Sequence, residues 1–89
     1  MMSKPVFKTI IEKLVKADKL LAQVSLFDAK NTPIKNPKIE KIANHQILKA
    51  EEELAGAERE ISQNRPDKAI TRFGKSWLYS QLAVKLANL

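Results

Sequence analysis

The chain has 89 residues, 44% of them hydrophobic and 29% charged, with a formal net charge of +6. That allows one domain, 1–89, with one small core, and sets the chain apart from disordered sequences. The absence of cysteine excludes a disulfide framework and a thiolate metal site.

Two glycines and four prolines among many Ala, Leu, Lys and Glu point to an all-α protein. Pro5 suits the first turn of a helix, where a missing N–H costs nothing. From there Phe7, Ile10, Ile11, Leu14, Ala17, Leu21 and Val24 keep a three-four rhythm, widened by Val15, Leu20 and Phe27. This spacing predicts a helix over 5–30 with the Ala17, Leu21, Val24 stripe in the core. Asn31-Thr32-Pro33 should stop it.

Asn36 and Pro37 then form an N-cap and first helical residue, opening a second helix over 37–63. Its seam, Ala43, Ile47, Ala50, Leu54, Ala57, Ile61, is nearly a strict heptad that alternates small and large residues. Gly56 falls in the middle of this helix and suggests a backbone contact. Asn64-Arg65-Pro66-Asp67 closes the second helix and opens a third over 66–87, with Asn64 suited to the left-handed conformation. In the third helix Ala69, Phe73, Ser76, Ser80 and Ala83 share one stripe, with Ile70, Trp77 and Val84 beside it. Short connections between three long helices predict an antiparallel up-down-up three-helix bundle. Phe73, Trp77, Ile70 and Asp18 are its expected core anchors, with Asp18 bonded to the Trp77 indole or to a base on a neighbouring helix.

The run Leu14-Val15-Lys16-Ala17-Asp18-Lys19-Leu20-Leu21-Ala22, with Ser25 and Ala29 after it, is the first half of a recognisable pattern. Ala50 to Leu54, then Lys68-Ala69-Ile70, Phe73, Ser76-Trp77, Ser80 and Ala83, form the second. Together they resemble a small helical module found near the C-termini of large bacterial and archaeal exported or cell-surface proteins, similar to FIMAH-type accessory segments. Ser76 and Ser80 stand where that module has alanine, and Phe73 where tyrosine is commoner. The resemblance implies a non-catalytic accessory unit, extracellular if this chain is part of a larger exported protein. Without such a parent, a cytoplasmic location is expected.

No constellation favours chemistry. His45 is a single histidine with no cysteine to share a zinc ion, and no nucleophile elbow accompanies it. Glu51-Glu52-Glu53 with Glu58 and Glu60 reads as a solvated helix face rather than a calcium loop, some of it pairing with bases on the third helix. The expectation is therefore no enzyme, no catalytic residue, no metal and no cofactor. The positive charge is spread over the chain, and arginine is confined to positions 59, 65 and 72. Nucleic acid is thus the alternative rather than the leading reading, with Lys35, Lys38 and Lys41 as its densest contacts. Lysines interrupt every apolar run, so no membrane span is expected. The leading expectation is a protein-interaction module contacting another protein or another domain of a parent chain. Leu78, Tyr79 and Leu82 are its candidate partner surface, also available for self-association.

Overall fold

The computed structural model describes the backbone of residues 3–89 and the side chains of residues 8–89, so Phe7 on the expected apolar face lies outside the described side chains. Three helices follow one another: α1 (Ser3–Asn31), α2 (Glu40–Ser62) and α3 (Pro66–Ala87), with a 3₁₀ turn at Pro37–Ile39 leading into α2. No strand occurs among the described residues, and the all-α three-helix bundle stands.

Local chemistry sets the helix ends. The Asn31 side chain donates to the Phe27 carbonyl at 2.8 Å and the Thr32 hydroxyl to the Asp28 carbonyl at 2.6 Å, filling acceptors that α1 leaves open before Pro33. The Asn36 side chain accepts from the Lys38 N–H at 3.0 Å, so it caps the 3₁₀ turn rather than the α-helix itself. Asn64 takes φ 61°. The Arg65 N–H then reaches the Glu60 carbonyl at 2.8 Å and the Asn64 N–H the Ile61 carbonyl at 3.0 Å, which together close α2 as a Schellman motif.

The Lys35 N–H bonds the Ala87 carbonyl at 3.0 Å and ties the α1–α2 linker to the far end of α3, giving the up-down-up order. Helix α3 packs along both of the others, whereas α1 and α2 barely touch. The bundle measures 57 × 18 × 14 Å. Its long dimension exceeds the roughly 44 Å that 29 residues of α1 can span, so the elements are staggered along the axis.

The core is built from small residues. Ala22, Ala29, Ala43, Ala50, Ala57, Ala69, Ala83 and Ala87 are buried together with Ser25, Ser76 and Ser80. Among the described residues Phe73 is the one large side chain that is fully buried. Trp77 and Ile70, expected as anchors beside it, are only half-buried, because alanine-lined seams bring the backbones too close to admit them at the centre. Asp18 is also half-buried. Contrary to expectation, no hydrogen bond or ion pair joins it to Trp77 or to a base among the described residues.

The largest correction concerns α1. Its packing face is Val15, Ala22, Ser25, Leu26 and Ala29, the last four of them buried. The expected core stripe Ala17, Leu21, Val24 faces solvent. The seams of α2 and α3 admit close approach only, and small residues at positions 22, 25 and 29 meet that condition where leucine and valine do not.

Candidate interaction surface

With a small-residue face turned to α3, the bulky residues of α1 are left outside. Ile10, Leu14, Leu20, Leu21, Val24 and Phe27 are 47–66% exposed, and Ala17 between them is exposed as well. Ile10, Leu14, Ala17, Leu21 and Val24 follow one another at intervals of four, three, four and three residues, a heptad seam. At 100° per residue the centre of this stripe lies about 120° around the helix from the centre of the Val15, Ala22, Ala29 face. Helix α1 thus carries two separate apolar faces, one of which is covered.

Below this face, the first half of α1 and the α2–α3 corner enclose a cleft of about 620 Å³. Ile11, Val15, Ile61 and Pro66 give it an apolar floor, and Lys8, Lys16 and Lys19 stand at its rim.

Ion pairs occupy the rest of the α1–α2 boundary. Lys19 Nζ lies 3.0 Å from Glu58 Oε1 and Lys30 Nζ 3.2 Å from Glu51 Oε2. The acidic block of α2 therefore pairs with α1 twice and with α3 once, through Arg72 Nη1 and Glu53 Oε1 at 3.1 Å. The Arg72 side chain crosses α2 at Gly56, where an added Cβ would stand 2.7 Å from Nη1 and 3.0 Å from Cδ. This explains the mid-helix glycine: it seats a side chain rather than a backbone.

The residues singled out from sequence fall into separate places. Leu78 and Leu82 point outward from α3, 59% and 43% exposed. Tyr79, one position along, is half-buried on the α2 side, with Lys49 Nζ 5.6 Å from its ring centroid. The three therefore do not form one patch. Lys35, Lys38 and Lys41 are exposed at the end of the bundle where α2 begins. His45 is exposed on α2. Among the described residues no group of three His, Cys, Asp or Glu side chains is arranged to hold a metal ion, and no helix is long and apolar enough to cross a membrane.

The apolar face of α1 was hidden from sequence reading because its spacing is that of a core. Size was the available signal: two alanine seams require a third small face, and α1 carries one at Ala22, Ser25 and Ala29. No protein-family model, curated protein or solved structure matches this chain.

Proposed function

We propose that this chain is a non-catalytic helical interaction module that presents the outward face of α1 to an apolar helix of another protein. One observation carries the reading: six large apolar side chains, each about half exposed or more, four of them on one heptad seam, on a side of α1 that the bundle leaves uncovered. Soluble proteins rarely expose contiguous apolar patches larger than this, and such patches often mark protein contacts. A groove or face read at i, i+3, i+4 and i+7 suits an amphipathic partner helix. Membership of a larger exported protein is proposed from the resemblance described above, on the residues that carry it.

A photo-crosslinking amino acid placed at Leu20 and activated in the producing cells tests this reading. The expected outcome is a discrete protein adduct, absent when the same group replaces Lys75 on the opposite helix. Absence of any protein adduct at Leu20 would overturn it.

A further inference from the structure

Resting on that reading, we infer that the partner of the α1 face is a second copy of this chain, docked antiparallel. The first ground is area. The six exposed side chains present on the order of 600 Å² per copy, at the top of the range for the largest apolar patch of a monomer. Two copies would bury up to about 1,200 Å² of this surface, near the lower limit for a specific stable interface.

The second ground is shape. A face with its own symmetry in size can cover itself, as two-fold interfaces require. In an antiparallel pair centred between Ala17 and Leu21, Ala17 of one copy receives Leu21 of the other, and Leu14 meets Val24. The small residue at the centre lets the helices approach, and the leucines on either side fill the space.

Charge decides the direction. Lys13 flanks the apolar stripe near its start, while Asp28 lies at its far end, in register with Leu14 and Leu21. A parallel pair would set Lys13 against Lys13 and Asp28 against Asp28. The antiparallel pair brings Asp28 of each copy within about one turn of Lys13 of the other, at both ends of the interface. It also sets the two helix dipoles in opposition, which favours it further. The same Asp28 disfavours an anionic lipid surface as the occupant, since it would be pressed into the headgroups along with the apolar stripe.

Sedimentation equilibrium of the full chain from about 1 to 300 µM, the range in which so small an interface associates, tests the inference. The expected result is a mass rising from 10.1 kDa toward twice that value. Leu21→Lys should weaken the association by about 100-fold or more, because each such site occurs twice in a two-fold interface. Its far-UV circular dichroism should match wild type, since Leu21 is 52% exposed and lies outside the buried cluster around Phe73. The pair Leu78→Lys and Leu82→Lys on α3 should leave the association intact. A strictly monomeric wild type, or a dimer sensitive to Leu78→Lys and Leu82→Lys but indifferent to Leu21→Lys, would overturn the inference. Binding of a monomer to anionic vesicles through Leu21 would overturn it in favour of a lipid surface. A monomer that still forms an adduct with a different protein at Leu20 would remove the second copy and leave the interaction module standing.

Discussion

Replacing Ser80 with alanine and, separately, Ser76 with alanine compares two buried serines one turn apart on α3. The Ser76 hydroxyl donates to the Ala50 carbonyl at 2.8 Å. The Ser80 hydroxyl is equally buried and has no partner among the described residues. Each substitution gains about 0.5 kcal/mol of helix propensity. Ser76→Ala forfeits a hydrogen bond with a net value of about 1 kcal/mol and leaves no orphan, because the Ala50 carbonyl stays within the α2 ladder. Its expected net effect is a loss of about 0.5 kcal/mol. Ser80→Ala removes a buried hydroxyl whose unpaired desolvation costs at least about 1 kcal/mol, so the variant should gain about 1.5 kcal/mol. In a domain of this size, a gain of that order raises Tm by roughly 6–12 °C. Urea unfolding at one fixed protein concentration, with m unchanged, reads both values and keeps association from entering the comparison. Equal shifts in the two variants, or a Ser80→Ala protein no more stable than wild type, would refute the reasoning.

The Arg72 seat at Gly56 predicts coupling. Gly56→Ala should stabilise an Arg72→Ala background by about 1 kcal/mol and wild type by at least ~0.5 kcal/mol less, since the new Cβ displaces the guanidinium from Glu53. Equal gains in a double-mutant cycle would show that Arg72 does not lie there. Asp18→Ala should change stability by less than about 0.5 kcal/mol, because no bond is lost; a loss of 2 kcal/mol or more by thermal unfolding would reveal a partner. Removing Lys19 and Glu58 together should cost less than about 1 kcal/mol, as for exposed pairs generally, and a larger loss in urea would give the α1–α2 ion pairs a role in holding the bundle.

Helix ends were legible because their chemistry is local. Asn36, Asn64 and the prolines act on their own neighbours, and each does so in the fold. The seams of α2 and α3 were legible as well, since Ala43, Ala50 and Ala57, like Ala69, Phe73, Ser76, Ser80 and Ala83, have no competing face of similar apolarity on the same helix. Helix α1 offered two such faces, and hydrophobicity ranks Leu14, Leu21 and Val24 above Ala22, Ser25 and Ala29. What chooses between them is the distance of approach to α3, a tertiary property that the period of one helix does not contain. The same distance leaves Ile47 and Leu54 of the α2 heptad half-buried and Ile61 exposed. It also keeps Trp77 at the margin. The candidate surface at Leu78 and Leu82 was correctly read as facing outward, while Tyr79 was assigned to it without regard for the turn of the helix toward Lys49.

The orientation of α1 and the occupancy of its outer face meet in one measurement. The chain has no cysteine of its own, so single thiols can be introduced at Ala22 and at Val24 and their maleimide labelling rates followed as protein concentration rises. The expected result is slow labelling of Ala22→Cys at every concentration. Val24→Cys should label at the rate of a free thiol when dilute and slow progressively as the copies associate. Rapid labelling of Ala22→Cys with protection of Val24→Cys in dilute solution would place the heptad stripe inside the bundle and contradict the account.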